Sequence, residues 1–344
     1  MKLVPLGRLE EPGRVLFAAL AGDVLLVLLG RVDAIVLVCV RTDGRRMRTA
    51  WRQPLACAPG AALGLWTAGD AVGVVAGTLR RVLGIADGRA IADAQGAPPV
   101  AQVARDGAHL ILPTASGLER LDARSLEGAA ITLEPGEAVA GAAGAGFVPL
   151  VGGAGGALLR LRDGVRWRLP EAAAPCGLGA VSGGARVALP LGRAGRAAAG
   201  LAVLSEGELG WRADVLGEVE PETGPPVPPV VDDGVVFVAG AGRVIEARAL
   251  DDGTVLWASP LGLPATALLV HGGIVWVGCG DGTLTAFDAF AGERSDTRSV
   301  RARPGLLSMR REALDAAEHP VWLGARGDAV LCVCRLGALW LATA

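Results

Sequence analysis

The sequence predicts an all-β protein, a propeller of eight four-stranded antiparallel blades, from three observations. Turns that combine an acidic residue with glycine recur at intervals of about 41 residues, a period typical of propeller blades. A short apolar, β-prone run precedes each turn, and a tryptophan follows several of them. One four-stranded sheet cannot bury both of its faces, so neighbouring sheets are expected to pack radially. We therefore expect residues 1–344 to form a single domain.

The turns mark the phase of each blade. An Asp-Gly pair favours a tight hairpin, because both central residues must tolerate positive φ. The turns are Asp43-Gly44, Asp87-Gly88, Glu127-Gly128, Asp163-Gly164, Glu206-Gly207 and Asp252-Gly253, with a degenerate seventh copy at Ala291-Gly292. The strand-like runs before them are 24–29, 72–76, 110–112, 147–150, 187–189, 235–239 and 274–277.

The two ends of the chain predict an eighth blade. A last unit begins near Pro320, and by the same phase its outermost strand would fall beyond Ala344. Residues 2–9 look like a strand that belongs to no unit, so we expect them to complete this blade and close the ring. Seven blades are the alternative if the glycine-rich fourth unit forms none. Residues 294–318 lack the repeat and are predicted to be an insertion, with a short amphipathic helix after residue 305.

Composition excludes several classes of protein. The 33 Lys and Arg against 35 Asp and Glu give a net charge of −2, which argues against nucleic acid as a partner. No apolar run approaches the roughly 20 residues of a membrane span. Arg8, Glu10 and Glu11 interrupt the N-terminus too early for an export signal, so we expect a soluble, cytoplasmic protein. Cys332 and Cys334 are expected to be buried, reduced thiols on one strand face.

The two clearest copies of the repeat identify a family. Residues 232–257 and 273–292 each combine a strand after a glycine turn with a second strand, a second glycine turn and, in the first copy, a tryptophan. This pattern resembles the pyrroloquinoline-quinone-like (PQQ-like) β-propeller repeat, and is related in form to WD40 repeats. The match is good over 227–293 and partial over 15–226.

The resemblance has implications for both packing and chemistry. In that family an outer tryptophan packs between blades, which implies this position for Trp167, Trp211 and Trp257. Quinoprotein enzymes of the family bind a quinone beside calcium, which needs several converging oxygen ligands. The pairs Asp232-Asp233 and Asp251-Asp252 are candidates, but each precedes a turn glycine and is expected to be solvated. We therefore expect no cofactor and no metal site.

The candidate functional residues are charged side chains outside the strand pattern. The three histidines, His109, His271 and His319, lie in no recognisable catalytic arrangement, so no catalytic residue is assigned. Surface features that interrupt a propeller pattern are often where function resides. The candidates for partner binding are Arg45, Arg46 and Arg48 near the first turn, with Arg52 beside them, and Arg301, Arg303, Arg310 and Arg311 in the insertion; a further candidate is the acidic, proline-rich stretch 218–229.

The function expected from these features is that of a non-catalytic, cytoplasmic scaffold that binds a protein partner in a larger bacterial assembly. Two alternatives stay open. A module that binds a small molecule or peptide in the central channel predicts polar side chains converging from the innermost strands. An enzyme that uses carboxylates at the channel mouth predicts acids with raised pKa values in one pocket.

Overall fold

The fold is a ring of eight sheets, each of four antiparallel strands. The computed structural model describes residues 1–343 except 32–33, 44–45, 58–62, 101–102, 141–145, 153–154, 170–179, 183–185, 193–199, 216–226, 241–242 and 301–317. Every regular element in this part of the chain is a β-strand. The predicted fold class is confirmed, and the number of blades is eight rather than seven.

The first four blades follow one another in chain order. Blade 1 contains β2 (Arg14–Ala21), β3 (Val24–Gly30), β4 (Ile35–Asp43) and β5 (Arg46–Leu55). Blade 2 contains β6 (Leu63–Ala68), β7 (Ala71–Ala76), β8 (Leu79–Gly84) and β9 (Ala90–Gln95). Blade 3 contains β10 (Ala104–Asp106), β11 (His109–Thr114), β12 (Gly117–Asp122) and β13 (Gly128–Ile131). Blade 4 contains β14 (Ala138–Val139), β15 (Phe147–Gly152), β16 (Gly155–Arg160) and β17 (Arg166–Arg168).

The last four blades include the one that closes the ring. Blade 5 contains β18 (Ala180–Ser182), β19 (Arg186–Leu191), β20 (Gly200–Ser205) and β21 (Glu208–Asp214). Blade 6 contains β22 (Val230–Asp232), β23 (Val235–Ala239), β24 (Val244–Ala249) and β25 (Val255–Pro260). Blade 7 contains β26 (Ala265–His271), β27 (Ile274–Cys279), β28 (Thr283–Asp288) and β29 (Arg294–Ser299). Blade 8 contains β30 (Pro320–Arg326), β31 (Ala329–Cys334), β32 (Ala338–Thr343) and, as its fourth strand, β1 (Lys2–Arg8).

The first and last strands of the chain are paired, as predicted. β1 lies antiparallel to β32, with Lys2 opposite Thr343 and Arg8 opposite Ala338. A register shift between Pro5 and Gly7 interrupts the ladder. Because the two ends of the chain share one sheet, opening the ring requires this pairing to break.

The core lies between the blades. β3 is buried along almost its whole length, because its two faces pack against different neighbours. Leu25, Val27 and Leu29 share a cluster with blade 8, whereas Leu26 and Leu28 share one with blade 2. A strand that is covered on both faces needs no polar alternation, which explains the continuous apolar runs in the sequence.

Each blade has an inner and an outer edge. The first strands of neighbouring blades contact one another, as β2 does with β6 and β30, so they lie nearest the axis. The fourth strands, such as β9 and β29, are largely exposed. In each blade, the loop that joins the first strand to the second lies on the same side of the ring as the loop that joins the third strand to the fourth. We call this side the turn face.

The turns between third and fourth strands differ in detail from the prediction. Among the predicted turns that the structure describes in full, which exclude Asp43-Gly44, only Glu206-Gly207 has two central residues with positive φ, 49° and 100°. In blade 2 the loop is longer, with Gly88 alone at φ 69° and its N–H bonded to the carbonyl of Gly84 at 2.8 Å. In blade 3 the prediction was wrong, because Leu126 (φ 63°) takes the glycine position and Gly128 lies inside β13.

The predicted insertion also begins later than expected. Residues 294–299 form β29, the outermost strand of blade 7, so they belong to the repeat. Its register opposite β28 includes a bulge between Ala286 and Phe287. Residues 301–317, with the predicted helix, lie outside the described part of the chain.

Candidate functional site

The turn face is held together by tryptophans that reach from one blade to the next. Each of three fourth-strand indoles donates its N–H to a turn carbonyl of the following blade: Trp51 to Ile85 at 2.8 Å, Trp211 to Leu250 at 2.9 Å, and Trp257 to Ala289 at 3.0 Å. The same rings cover the turn glycines Gly88, Gly253 and Gly292, where an added Cβ would lie 2.8, 2.7 and 2.4 Å from the indole. The turns are therefore fixed in position relative to the neighbouring blade.

The remaining predicted tryptophan occupies a related place. Trp167 lies on β17 of blade 4 and packs 4.8 Å from the Phe147 ring, measured between centroids. A Cβ added to Gly207 of blade 5 would lie 3.0 Å from its indole. All three tryptophans that the resemblance singled out thus lie between blades.

Blade 2 makes the same connection with a different strand. In blades 1, 5 and 6 the outer tryptophan lies opposite the third-strand residue that directly precedes the bulge. Blade 2 has Ala92 at this position, opposite Val82. Trp66 of the innermost strand β6 instead lies over Gly73 and donates its indole N–H to the carbonyl of Ala123 in blade 3, at 2.9 Å. Ala123 corresponds in its turn to Ile85, Leu250 and Ala289.

A pocket opens on the turn face between blades 1 and 2. Its cavity volume is about 540 Å³. It is lined by Asp23, Val24, Arg41, Thr42, Arg48, Thr49, Ala50 and Ala86, and we call it the arginine pocket. Strands β4 and β5 form one wall, and the turn of blade 2 supplies Ala86 on the other.

Two arginines lie side by side on the β4–β5 wall of this pocket. Arg41 and Arg48 are directly opposite in the β4–β5 ladder, and both side chains are exposed. Arg41 donates from Nη2 to the carbonyl of Ala86 at 3.2 Å. Like charges at directly opposed strand positions repel one another. Among the side chains that the structure describes, which exclude that of Asp43, neither guanidinium forms an ion pair with a carboxylate.

Blade 8 contributes to the rim of the pocket. Arg326 donates from Nη2 to the carbonyl of Thr42 at 2.7 Å, and its Nε lies 3.6 Å from a carboxylate oxygen of Asp23. The hydroxyl of Thr42 donates to the carbonyl of Asp23 at 3.3 Å. The rim backbone is therefore fixed, while two planar guanidinium groups are presented to solvent, an arrangement suited to carboxylate or phosphate groups.

The structure separates the predicted arginines into several groups. Arg48 lines the arginine pocket, whereas Arg52 on the same strand forms an ion pair with Glu11. Arg46 begins β5, but its side chain is not described. The residues outside the described part of the chain are Arg45, Arg301, Arg303, Arg310, Arg311, Glu218, Glu220 and Glu222.

Sequence reasoning missed two contributors to the pocket. Arg41 belongs to an apolar strand, β4, and only the register places it opposite Arg48. Arg326 is far away along the chain and reaches Thr42 because the ring closes. Arg41 could have been identified from the sequence, since it is a charged residue two positions before the Asp43 turn. No sequence signal places Arg326 near the pocket.

A second, smaller cavity on blade 4 contains an ion-pair network. It measures about 120 Å³ and is lined in part by Glu134, Glu137 and Arg166. Arg166 donates to both carboxylate oxygens of Glu137, at 2.8 and 2.9 Å, and lies 3.3 Å from Glu134. The hydrogen bond from Arg166 holds the pKa of Glu137 below its usual value. Three of the four charged side chains that line this cavity are thus paired with one another, and the fourth is Arg168.

The candidate calcium ligands do not fit a quinone–calcium site: Asp232 and Asp233 are exposed at a turn where Asp233 has φ 42°, and the other pair is engaged elsewhere. Asp251 pairs with Arg186, and a carboxylate oxygen of Asp252 accepts the Thr254 N–H at 2.9 Å. That backbone hydrogen bond lowers the pKa of Asp252. These carboxylates cap and stabilise a turn at the outer part of blade 6. In the described residues no three His, Cys, Asp or Glu side chains are grouped as metal ligands.

The histidines and the cysteine pair have structural surroundings. His109 lies 3.3 Å from Arg120, and His271 contacts the carbonyl of Gly327 at 2.7 Å, joining blades 7 and 8. Cys332 and Cys334 are free thiols buried on one face of β31. A hydrogen bond with Cys332, together with burial, raises the pKa of the Cys334 thiol.

Comparison with known proteins identifies the family. Residues 157–337, more than half of the chain, match the family described as outer membrane protein assembly factor BamB. The chain belongs to this family. Its membership of the PQQ-like repeat proteins, predicted from the sequence, is thereby confirmed. No curated protein matches the sequence.

Solved structures show the same fold at low identity. BamB from Moraxella catarrhalis aligns with a TM-score of 0.68 and 14% identity, covering 100% of this chain and 98% of that one. The computationally designed Ika8 protein gives 0.70 and 14%, with coverage of 99% and 100%. The C-terminal WD40 domain of Sif2 gives 0.68 and 11%, with coverage of 99% and 98%. No helix in the described part of the chain has the length and hydropathy needed to cross a bilayer.

Proposed function

We propose that this propeller is a non-catalytic scaffold that binds a protein partner in a larger bacterial assembly, and that the arginine pocket receives an acidic segment of that partner. The observation that carries the proposal is the opposed pair Arg41 and Arg48 beside a cavity of about 540 Å³. A carboxylate between the two guanidinium groups turns their repulsion into two charge-assisted contacts.

The rigidity of the turn face supports the scaffold proposal. The tryptophan contacts fix each turn against the next blade, as between Trp51 and Gly88 beside the pocket. A surface that is already ordered loses little conformational freedom on binding, so more of the contact energy appears as affinity. Propellers of the BamB and WD40 type commonly mediate protein interactions, and the family description, an assembly factor, names such a role for BamB.

The two alternatives receive less support. The channel module calls for polar side chains on the innermost strands, but β2, β6, β26 and β30 carry mostly apolar ones, such as Leu16 and Leu65. The carboxylate enzyme calls for acids with raised pKa values. Instead, arginine side chains lower the pKa of Asp70 and Asp163 by donating hydrogen bonds. Backbone N–H groups do the same for Asp122.

A cytoplasmic location is part of the proposal. Cys39 and Cys279 are free thiols, and burial raises the pKa of each to about 11. Free thiols are typical of proteins kept in a reducing compartment. Fractionation of the native host tests this location. Recovery of the protein in the cytosolic fraction is expected, and recovery with the cell envelope would contradict it.

Affinity purification of the tagged protein from its host tests the scaffold proposal. We expect a stoichiometric protein partner that dissociates as salt rises, because exposed ion pairs are screened. The double variant Arg41→Ala/Arg48→Ala should release it without loss of stability, since it removes a repulsive pair. A matched control is Arg89→Ala, an exposed turn-face arginine on blade 2 that is paired with Asp87.

The outcomes separate the two parts of the proposal. A partner that both variants retain would place docking elsewhere on the ring and contradict the role of the arginine pocket. A partner that both variants lose would show a general charge effect, and would contradict it too. A wild-type protein with no stoichiometric partner would contradict the scaffold function itself.

A further inference from the structure

One aromatic side chain stands in solvent at the tip of a rigid turn. Phe290 lies between β28 and β29 of blade 7 and is 95% exposed. Its turn is the five-residue loop 289–293, in which Gly292, at φ 69°, donates its N–H to the carbonyl of Asp288 at 2.9 Å. An aromatic ring that makes so little contact with its own chain contributes nothing to the core.

The corresponding turns show that this residue is unusual. In blades 2, 3, 4 and 6 the N–H of one turn residue likewise bonds to the carbonyl four positions earlier. The residue midway between the two bonded residues is the equivalent of Phe290 in each turn. The equivalent residues are Ala86, Arg124, Arg162 and Asp251. These are small or charged, as expected for a solvated tip. The turn geometry itself therefore does not require a phenylalanine.

The backbone on both sides of Phe290 is fixed. A carboxylate oxygen of Asp288 accepts the N–H groups of Phe290 at 2.9 Å and of Ala291 at 2.7 Å. The carbonyl of Ala289 accepts the Trp257 indole N–H at 3.0 Å. The ring is consequently presented from a pre-ordered turn, which limits the entropy lost when it is bound.

Two further apolar side chains are exposed on β25, the strand against which this turn packs. Val255 and Leu256 begin β25 of blade 6 and are 39% and 51% exposed. They directly precede Trp257, whose indole contacts the turn below Phe290. The three exposed residues thus belong to the two elements that meet at the junction of blades 6 and 7, and we call this set the Phe290 patch.

The charges around the Phe290 patch are predominantly acidic. Asp252, Asp288 and Glu293 lie on the same two turns, are exposed, and form no ion pair with any residue that the structure describes. The two arginines at this border are engaged, Arg186 with Asp251 and Arg294 over the Phe287 ring at 5.6 Å. An apolar centre with an acidic rim complements a segment that carries apolar and cationic side chains together.

We propose that the Phe290 patch is a second docking surface, separate from the arginine pocket, which binds a cationic amphipathic segment of a protein partner. Its apolar side chains cover Phe290 and Leu256, and its lysines or arginines face Asp252 and Glu293. An anionic bilayer would meet this rim with charge of the same sign. A second copy related by two-fold symmetry would oppose one acidic rim to another. The cationic segment is therefore the occupant that the charges favour.

A peptide titration on the full chain tests the proposal. The probe is a short fluorescein-labelled peptide in which Lys alternates with Leu and Phe, and binding is followed by fluorescence anisotropy. One companion peptide has Glu in place of Lys, and another has Ser in place of Leu and Phe. We expect only the Lys-Leu-Phe peptide to bind. Phe290→Ser should weaken it by about tenfold or more, since central aromatic anchors dominate such contacts.

Two variants serve as controls. Ile91→Ser removes an apolar side chain that is 44% exposed on β9 of blade 2, and should leave binding unchanged. Leu256→Ser is a second test within the patch and should also weaken the peptide. The arginine-pocket double variant should bind the peptide as the wild type does. A result that contradicts the role of the arginine pocket can therefore be distinguished from one that contradicts the role of the Phe290 patch.

Several results would overturn the proposal. These are no binding of the Lys-Leu-Phe peptide, equal binding of the Glu peptide, or unchanged binding to Phe290→Ser. Sedimentation with vesicles that contain phosphatidylglycerol, lost in Phe290→Ser, would assign the patch to a membrane surface instead. A concentration-dependent dimer in sedimentation velocity, lost in the same variant, would assign it to a second copy of this chain.

Discussion

Two junctions between blades meet the same structural demand with different strands. At the junction of blades 6 and 7, Trp257 of the outermost strand donates to the carbonyl of Ala289 and covers Gly292. At the junction of blades 2 and 3, Trp66 of the innermost strand donates to the carbonyl of Ala123. Because the acceptor occupies the same place in both turns, the requirement concerns that carbonyl rather than the position of the tryptophan in the repeat.

The surroundings show how the exchange is accommodated. Trp66 lies across β7, where its cross-strand partner is Gly73, and any larger residue there would overlap the ring. Ala92, at the usual tryptophan position, packs in the same cluster as Trp66 and leaves the space that the indole fills. Compared with blade 6, blade 2 therefore differs at three linked positions: Ala92 on the outermost strand, Gly73 on the second strand and Trp66 on the innermost strand.

Removing either indole is expected to have the largest effect on stability. Trp66→Ala and Trp257→Ala should each lower the free energy of unfolding by about 3–5 kcal/mol, as for other buried tryptophans. Both side chains are buried, and each loses its contact with the next blade along with a hydrogen bond. Urea unfolding of the two variants measures the difference.

The phenylalanine variants isolate the hydrogen bond. Trp66→Phe and Trp257→Phe keep a ring but leave a turn carbonyl without its indole donor, which should cost about 1–3 kcal/mol in each case. If Trp66→Ala lowered the free energy of unfolding by less than Trp66→Phe does, the contact of Trp66 with blade 3 would not be equivalent to that of Trp257 with blade 7.

The two glycines under the indoles should respond differently to a methyl group. Gly73→Ala places a Cβ 1.9 Å from the Trp66 ring, and Gly292→Ala places one 2.4 Å from the Trp257 ring, so each should cost about 1–3 kcal/mol. In a Trp66→Ala background the cost of Gly73→Ala should vanish, because the overlap is gone. In a Trp257→Ala background Gly292→Ala should still cost about 1 kcal/mol or more, because φ is 69° there and because the Cβ that remains at position 257 lies 2.8 Å from the added methyl group.

A double-mutant cycle at each junction makes this comparison, with unfolding by urea as the measurement. Equal residual costs in the two tryptophan-free backgrounds would contradict the distinction between a glycine required by the indole ring alone and one required by the turn itself. It would also mean that the strand glycine of blade 2 has a role other than making room for Trp66.

The regular part of the fold was predictable because it is built from local pairs. Each hairpin joins strands that are adjacent in sequence, so turn glycines such as Gly88 and Gly253 show the phase directly. Ring closure through β1 followed from the same phase. Leu126 was not predictable, since a leucine with positive φ carries no sequence signal that distinguishes it from an ordinary strand residue.

The candidate surfaces depend more on three-dimensional proximity. Arg48 was identified from its charge cluster, but its cross-strand neighbour Arg41 required the register, and Arg326 required the closed ring. Phe290 sits in a turn whose glycine was recognised, yet the sequence alone does not show that its side chain points to solvent. Trp66 was missed because its contact with Ala123 joins residues that are distant in sequence.

The smallest expected effect is a difference between the same two junctions in how their stability depends on pH. Cys279 packs in the cluster of Trp257, whereas the described residues of the Trp66 cluster include no cysteine. Burial, with a further contribution from Asp281, raises the pKa of Cys279 to about 11 from the ordinary 9.0. The unfolded chain therefore releases this proton at lower pH than the folded one. Stability should be fully present below pH 9 and should fall as pH rises towards 11.

At pH 10 this loss amounts to about 1 kcal/mol for one thiol. Comparing urea unfolding at pH 8 and pH 10, we expect Cys279→Ala to lose less stability than the wild type by that amount, whatever its stability at pH 8. Cys39→Ala provides the parallel case, because burial raises its pKa to about 11 at the junction of blades 1 and 2. Hydrogen exchange should show the alkaline loosening beside Trp257 and not beside Trp66. An identical pH dependence in wild type and Cys279→Ala would show that the thiol already ionises in the folded ring, and that this junction is open to water.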